Sequence, residues 1–512
     1  MGFCIAQEIN QSYTILMDYS LVPNDLIRFL QKPASEFTKS DIIRFIRSEN
    51  VEMLNFRYVA EDGKLKTLNF VIQGDEHLND VLSFGERVDG SSLFSFIEAG
   101  SSDLYLIPRF RTAFLNPFTE KPCLDILCSF YTNEGLPLES SPEFILRKAH
   151  EHFRDQTGFT FKAMGELEYY ISSPKETIFL SENQKGYHNS GPFAKWEDFR
   201  TEAMYLIAKA GGNVKYAHGE VGSFTSDTEA FEQHEIEFLP SPVEEAADQL
   251  VVAKWILRML AWQYGVEISF APKISEGKAG SGLHIHMMME KDGKNIMTEA
   301  GKLSDVSRRI IAGILDVAPA LTAFGNTIPT SYLRLVPNQE APTYVCWGDR
   351  NRSVLVRVPL GWLGKTDMLK DANPCEPTVN IPVGDSQTVE FRVPDGSADI
   401  YNLLAGLVVA GAHGLVMKDA TSLADSLYVG VDIFKNKEKL ETLNHLPYSC
   451  FDSAEALHAK RHVFEKSGVF SPGMIDNVIR RLKAHNDQGL SDRIMGNTEK
   501  IRELVLKYIH VM

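Results

Sequence analysis

Charged side chains alternate with apolar ones in three short segments of this chain, residues 165–169, 282–286 and 389–393. The charged pairs are Glu166 and Glu168, His284 and His286, and Glu390 and Arg392. Successive side chains of a β-strand point to opposite faces, so a spacing of two puts each pair on one face and its apolar neighbours on the other. The pattern predicts strands that bury one face and collect charge on the other.

The charges collected in this way favour a particular kind of site. A solvated strand face would account for any one pair, but the acids occur together with further glutamates near residues 220 and 233–237. Hard divalent ions such as Mg²⁺ or Mn²⁺ prefer carboxylate oxygens, whereas zinc prefers nitrogen and sulfur ligands. Five carboxylates with a single imidazole therefore suit a site that two such ions could share.

Arginines form the complementary half of the pattern. They are Arg334, Arg350, Arg352, Arg357 and Arg392. A rigid guanidinium fork suits carboxylate and phosphoryl oxygens, so arginines next to metal ligands indicate phosphoryl transfer close to an acidic substrate. Surface ion pairs are the alternative explanation. Arg357 and Arg392 argue against it, because they lie within otherwise apolar strands, where an unpaired charge is costly.

Composition narrows the range of partners and compartments. The chain has 52 Lys and Arg against 68 Asp and Glu, a net charge of -16, which argues against nucleic acid or an anionic membrane surface as a partner. The longest uncharged apolar stretch, residues 402–417, is shorter than the roughly 18 residues that span a bilayer and predicts a buried core helix. Scattered cysteines and an amino terminus without an export signal predict reduced thiols and a cytoplasmic location.

Capping and turn signals mark where the structural elements begin. Thr38 and Asp41 form a capping-box pattern ahead of an apolar-periodic segment, which predicts a helix start. Residues 53–60 and 65–72 flank an Asp-Gly turn, which predicts a β-hairpin. The Ser141-Pro142 pair predicts the start of a second helix.

These signals divide the chain into three parts. We predict a leader of unknown role over residues 1–37 and a small α+β domain over residues 38–140. A larger domain is predicted over residues 141–512, with a polar helical segment from about residue 418 that carries no cluster of reactive side chains.

Taken in chain order, seven segments resemble those of glutamine synthetases of the bacterial class, and the likeness runs from about Ser40 to the carboxy terminus. The matching segments are Val88–Ser92, Gly165–Glu168, Gln233–Glu235, Lys273–His286, Arg334–Pro342, Asn351–Ser353 and Glu390–Asp395. The resemblance implies an α+β protein with a small β-grasp amino-terminal domain and a large catalytic domain, whose curved antiparallel sheet forms a funnel surrounded by helices. It also implies a homo-oligomer of stacked rings, a dodecamer, with each site between neighbouring subunits.

The same resemblance implies a reaction and its cofactors. The reaction is ATP-dependent ligation of ammonia to the γ-carboxylate of L-glutamate through a γ-glutamyl phosphate, with two or more Mg²⁺ or Mn²⁺ ions in each site. By motif match, the ligands of the ion nearer glutamate are Glu168, Glu220 and Glu235. Those of the ion nearer the ATP phosphates are Glu166, His284 and Glu390.

Substrate contacts follow from the resemblance in the same way. Arg334 is implied to bind the α-carboxylate of glutamate, and Gly280 its amino group. The residues implied to contact the transferred phosphate are Arg352, Arg357 and Arg392, with Arg352 and His286 also beside the nucleotide. Those implied to form the ammonium pocket are Asp89, Glu220, Glu340 and Tyr187.

Two other functions stay open at this point. A γ-glutamyl ligase for a polyamine or another amine would use the same chemistry, but the pair Asp89 and Glu340 argues against it, because a larger amine needs more space and less cation capture. A catalytically silent scaffold or nitrogen-sensing protein on the same fold would be indicated by loss of a metal ligand, and the motifs retain all six.

Overall fold

The computed structural model describes residues 18–97, 102–336, 341–361, 367–378, 386–431, 433, 440–494 and 496–511. Two large apolar cores lie within this part of the chain. One consists of residues between Leu26 and Phe130, and the other draws mainly on residues between Ile145 and Leu482. The two cores correspond to an amino-terminal domain and a catalytic domain.

The amino-terminal domain is built on a mixed sheet with strand order β2-β1-β6-β4-β3. Its strands are β1 (Met53–Val59), β2 (Leu65–Val71), β3 (Glu86–Asp89), β4 (Asp103–Pro108), β5 (Phe114–Leu115) and β6 (Cys123–Thr132). Its helices are α1 (Asp25–Leu30), α2 (Lys39–Ser48) and α3 (Asp75–Phe84). Strand β1 pairs antiparallel with β2 and parallel with β6, and helices cover the sheet, so the predicted α+β class is confirmed.

Local sequence signals account for the start of this domain. The Thr38 side chain accepts from the backbone of Asp41, and the Asp41 carboxylate accepts from the backbone of Thr38, so the predicted capping box is present. The predicted hairpin is formed by β1 and β2. Residues 18–37 belong structurally to this domain, because Leu26 and Leu30 lie in its core; the rest of the predicted leader lies outside the described residues.

The catalytic domain contains a larger sheet with strand order β16-β17-β18-β12-β7-β9-β8. Its strands are β7 (Thr160–Pro174), β8 (Val214–Thr225), β9 (Glu229–Phe238), β10 (Ser241–Pro242), β11 (Glu267–Ser269), β12 (Leu283–Lys291), β13 (Lys294–Asn295), β16 (Trp347–Asp349), β17 (Val356–Val358) and β18 (Val389–Phe391). A separate small hairpin pairs β14 (Thr298–Glu299) with β15 (Lys302–Leu303). The pairs in the large sheet are antiparallel except for β16 with β17.

Helices pack around the large sheet. They are α4 (Pro142–Thr157), α5 (Glu197–Lys209), α6 (Val243–Tyr264), α7 (Asp305–Gly325), α8 (Ser331–Arg334), α9 (Met368–Ala372), α10 (Ile400–Val416), α11 (Ala420–Ser426), α12 (Cys450–Glu465), α13 (Pro472–Lys483), α14 (Leu490–Ile494) and α15 (Thr498–Lys507). The predicted start at Pro142 and the predicted core helix near residues 402–417 are both confirmed. Within the described residues, no single helix meets the length and hydropathy of a membrane span, although α10 and α11 meet them as a pair bent by 109°.

A buried ionic cluster joins the two domains. Arg109 donates two hydrogen bonds to Asp248 on α6, at 2.8 and 2.9 Å. Arg111 and the Tyr401 hydroxyl also donate to Asp248. Because a bidentate guanidinium contact has a preferred geometry, this cluster sets the orientation of the small sheet relative to the catalytic domain.

Candidate active site

The register of three antiparallel strands brings the charged pairs of the sequence together. On β7, Glu166 lies opposite His284 of β12 on one side and opposite Glu237 of β9 on the other. Glu168 lies opposite Glu235 of β9. Since directly opposed residues share a face of the sheet, these acids and imidazoles form one continuous polar floor.

The floor extends to the far edge of the sheet through β18 and β17. Glu390 lies opposite His286 of β12 and opposite Arg357 of β17. Its carboxylate is fully buried and accepts from Arg357 Nη1 and from Arg392 Nη1, each at 2.9 Å. Glu390 is therefore an anchor for two arginines as well as a predicted metal ligand.

The two imidazoles share one carboxylate. Glu166 is contacted by His284 Nδ1 at 2.9 Å and by His286 Nε2 at 2.8 Å. Burial opposes ionisation of Glu166, but the imidazoles, His286 foremost, hold the pKa of Glu166 well below its usual range. Burial also disfavours a charged His286, but Glu166 raises the pKa of that ring.

Acidic side chains crowd around Glu235. Burial raises the pKa of this carboxyl well above its usual value, and the charges of four neighbouring acids raise it further. These neighbours are Glu166, Glu168, Glu220 and Glu237. An acid whose neighbours all disfavour its charge is stabilised when a cation binds between them.

The donor set fits divalent cations. Three groups place one ligand atom from each residue within 4.8 Å of the others: Glu166, His286 and Glu390; His218, Glu220 and Glu235; and Glu166, Glu235 and Glu237. The groups are rich in carboxylate oxygens, as Mg²⁺ and Mn²⁺ require. The first contains His286 where the motif match implies His284, whose Nδ1 lies 3.6 Å from Glu390. The predicted ligand sets stay predictions.

Arginines and glycines shape the walls beside the floor. Arg334 is almost fully buried and donates through Nη1 to the carbonyl of Val393 at 2.8 Å. A side chain at Gly280 would meet Pro272 O at 2.5 Å, and one at Gly282 would meet Arg334 Nη2 at 2.6 Å. Glycine at these two positions therefore leaves room for the Arg334 side chain against this backbone.

A cavity of about 800 Å³ opens above the floor. Twelve of the predicted site residues line it: Glu166, Glu168, Tyr187, Glu220, Glu235, Gly280, His284, His286, Arg334, Arg352, Arg357 and Arg392. Glu390 is buried behind Arg357 and Arg392, and Glu340 lies outside the described residues. The cavity is large enough for a nucleotide with a small second substrate.

Asp89 lies elsewhere, at the end of the edge strand β3. It is exposed and accepts hydrogen bonds from Ser91 and Ser92. These hydroxyl groups, together with Ser102, lower the pKa of Asp89 to about 2. Asp89 does not line the cavity of its own chain among the described residues.

Comparison with known families decides the identity of this arrangement. The family model described as "Glutamine synthetase, catalytic domain" matches residues 139–493, more than half of the chain, and "Glutamine synthetase, beta-Grasp domain" matches residues 50–133. The chain belongs to the glutamine synthetase family. Members of this family are ligases that act on glutamate and ammonia and use ATP and divalent metal ions.

Individual glutamine synthetases from other organisms match this chain over most of their own length. The glutamine synthetase of Methanococcus maripaludis is 30% identical over 386 residues, which cover 73% of this chain and 80% of that protein. The glutamine synthetase of Thermotoga maritima is 30% identical over 449 residues, which cover 84% and 94%.

Solved structures share the fold of this family member. A cryo-EM structure of Plasmodium falciparum glutamine synthetase superimposes with a TM-score of 0.72 at 20% identity, covering 89% of this chain and 97% of that one. A complex of GmaS with ADP gives 0.70 at 18% identity, covering 88% and 96%. The predicted β-grasp domain and curved catalytic sheet are thereby confirmed.

Several residues that line the cavity lie outside the set of site residues predicted from the sequence. Glu237 continues the alternation of Glu235, and Lys162 continues that of Glu166, so the spacing of two contained the signal for both. Lys215 donates to Glu237 at 2.6 Å, and no motif indicated this contact. Gln233, which bonds Glu168, was quoted only as part of a motif.

Proposed function

We propose that this family member ligates ammonia to the γ-carboxylate of L-glutamate at the expense of ATP, through a γ-glutamyl phosphate. The observation that supports the proposal is the cavity itself, in which a surplus of carboxylates lies beside four arginines, Arg334, Arg352, Arg357 and Arg392. Arginine side chains beside carboxylates suit the transfer of a phosphoryl group to a carboxylate substrate.

The first step is phosphoryl transfer, because a free carboxylate is a poor acylating agent. An oxygen of the γ-carboxylate bonds to the γ-phosphorus of ATP, and the bond from that phosphorus to the ADP oxygen breaks. Arg352, Arg357 and Arg392 are proposed to stabilise the charge on the transferred group. Arg357 Nε supports this role, since it is buried and has no hydrogen-bond partner within the described part of the chain.

Glutamate and the nucleotide are proposed to occupy opposite ends of the cavity. Arg334, next to Gly280, would bind the α-carboxylate, and the Gly280 backbone would lie against the amino group. His286 would lie along the nucleotide. Mg²⁺ or Mn²⁺ ions, two or more in each site, would when bound neutralise phosphate oxygens and polarise the γ-carboxylate. Their proposed ligands are Glu168, Glu220 and Glu235, and Glu166, His284 and Glu390.

The second step is attack by ammonia on the acyl carbon, with release of inorganic phosphate. Ammonium must first be attracted and must then lose a proton to a base. Asp89, Glu220 and Glu340 are proposed to supply the anionic groups that attract ammonium and accept its proton. Tyr187 is proposed to border the same pocket.

Asp89 is proposed to act on a neighbouring subunit in a ring-shaped homo-oligomer, a dodecamer of stacked rings. Asp89→Ala and Glu340→Ala proteins should each be nearly inactive. Reassembled as an equal mixture, they should place an intact Asp89 beside an intact Glu340 at about one border in four and recover up to about a quarter of wild-type activity. Recovery no greater than the sum of the parents would contradict action between subunits.

ADP release by the purified protein tests the reaction. With glutamate, ATP and Mg²⁺, release should depend on ammonium and should be slower with methylamine, ethanolamine or putrescine. Faster release with one of these amines would make the protein a γ-glutamyl ligase for that amine. ATP binding without turnover on any of them would indicate a catalytically silent scaffold.

A further inference from the structure

The turn between β1 and β2 connects the two domains through one carboxylate. Glu61 Oε1 accepts from Asn477 Nδ2 of α13 at 2.8 Å. Arg481, also on α13, donates to the backbone carbonyl of Glu61 at 3.1 Å. The amino-terminal domain is thus held to the carboxy-terminal helices by a contact additional to the Asp248 cluster.

The same carboxylate holds the segment that follows Asp89. Ser95 donates to Glu61 through its backbone amide at 2.6 Å and through its hydroxyl at 3.0 Å. The amide of Glu61 donates to the carbonyl of Leu93 at 3.3 Å. Phe94 lies between these contacts and is buried in the core of the domain. Residues 93–95 are therefore fixed from both sides, six residues or fewer after Asp89.

We propose that Glu61 is a positioning residue, which fixes Asp89 relative to α13 so that Asp89 reaches the ammonium pocket of the neighbouring subunit. This inference rests on the proposed function. Asp89 lies in the amino-terminal domain, whereas the pocket that it is proposed to complete lies in the catalytic domain of the next subunit. The angle between the domains therefore controls where Asp89 enters the next site, and Glu61 constrains that angle close to Asp89.

Electrostatics support a role for the charged form of Glu61. Burial opposes its ionisation, but hydrogen bonds from Asn477 and Ser95 keep the pKa of Glu61 below its usual value. Each donor points at a carboxylate oxygen. A glutamine at this position would turn an NH₂ group, which cannot accept, toward one of these donors. With asparagine at position 477, the simultaneous contact with Asn477 and Ser95 therefore requires the carboxylate.

Glu61→Gln tests this inference in the intact oligomer. Hydrogen bonds to a charged group are stronger than neutral ones, and we expect the KM for ammonium to rise about five- to tenfold. The KM values for glutamate and ATP should stay within about twofold, because the cavity contacts are unchanged. Asp62→Asn is the matched control, since Asp62 lies in the same turn but pairs with Lys66 at 2.9 Å.

A second variant separates positioning from general damage. Asn477→Asp combined with Glu61→Gln exchanges the carboxylate and amide, so that the new pair can bond again and the ammonium KM should return to near the wild-type value. Amide hydrogen exchange at Ser95 provides a readout independent of turnover. It should be faster in Glu61→Gln and return toward the wild-type rate in the double variant.

The outcomes distinguish this inference from the proposed function. If Asp89→Asn raises the ammonium KM but Glu61→Gln does not, despite faster exchange at Ser95, the positioning role is wrong. An equal rise in all three KM values would also overturn it. If the wild-type protein shows no ammonium-dependent turnover, or Asp89→Asn leaves the ammonium KM unchanged, the proposed function fails, and this inference fails with it.

Discussion

Each of the two domains buries a carboxylate, but one carboxylate is surrounded by hydrogen-bond donors and the other by acids. Asp125 in the amino-terminal domain is fully buried and accepts from Arg57 Nε and Asn55 Nδ2, each at 2.7 Å. Asn116 also donates to it. Burial raises the pKa of Asp125 above its usual value, and these partners offset part of that rise. For Glu235 in the catalytic domain, burial raises the pKa and the neighbouring acids raise it further.

This difference indicates that Asp125 stabilises the fold, whereas Glu235 is suited to binding a cation. The chain supplies the partners of Asp125, so its charge is compensated within the domain. Glu235 lies among like charges, so its ionised form needs a cation from outside the chain. The comparison predicts that substitutions at Asp125 change stability, whereas substitutions around Glu235 change metal binding and turnover.

The largest expected effect is the loss of stability in Asp125→Asn. Removing one partner of a buried ion pair leaves Arg57 uncompensated and should cost about 3–5 kcal/mol of unfolding free energy. Urea denaturation measures this loss, and kcat per folded molecule should stay within about twofold. An unchanged denaturation midpoint would show that Asp125 has no structural role. Asp62→Asn, in an exposed pair, should change stability by less than about 0.5 kcal/mol.

Arg392→Lys tests the catalytic side of the comparison. Lysine keeps the charge but loses the fork that contacts Glu390 and is proposed to contact the transferred phosphate, so kcat should fall about 10²-fold with little change in the KM for glutamate. Steady-state kinetics measure both constants. Arg461→Lys is the control, since Arg461 also contacts two carboxylates, Glu465 and Asp476, but is not among the residues that line the cavity. A change confined to KM would make Arg392 a ground-state binding residue.

Divalent ions should stabilise the folded protein through Glu235 and not through Asp125. Mg²⁺ or Mn²⁺ at about 100 times its Kd should add about 2.7 kcal/mol to the unfolding free energy. Thermal unfolding with and without EDTA measures this increment. Asp125→Asn should retain it, and Glu235→Gln should lose most of it. An equal increment in wild type and Glu235→Gln would contradict the assignment of Glu235 as a ligand.

The smallest expected effect concerns pH in the metal-free protein. The pKa of Glu235 is raised in the folded state, so the folded state binds more protons and stability falls as pH rises above about 4.5 through that raised pKa. Glu235→Gln should remove this contribution and be more stable by about 1 kcal/mol at pH 8. Denaturation at several pH values measures both slopes. Parallel curves for the two proteins would show that Glu235 does not titrate in this way.

Much of the local structure could be predicted from the sequence. The hairpin at the Asp-Gly turn, the capping box at Thr38 and the helix start at Pro142 depend on neighbouring residues, and each is present. The chemistry of the floor was also predictable, because a spacing of two on apolar strands puts charges on one face. The role of Lys215 was not, since its contact with Glu237 joins two strands whose register the local sequence does not specify.

The sequence by itself determined the family and which residue types share one face of each strand, and so the kinds of donor atom offered to divalent ions. Only the tertiary structure decided which strand lies beside which. Glu166 and His284 are far apart in the chain and meet through the pairing of β7 with β12. The pairing of β12 with β18 adds Glu390, which forms a possible ligand group with Glu166 and His286 and lies 3.6 Å from the predicted ligand His284. Register between distant strands depends on packing of the whole core, because a shift of one residue would turn every charged side chain to the opposite face.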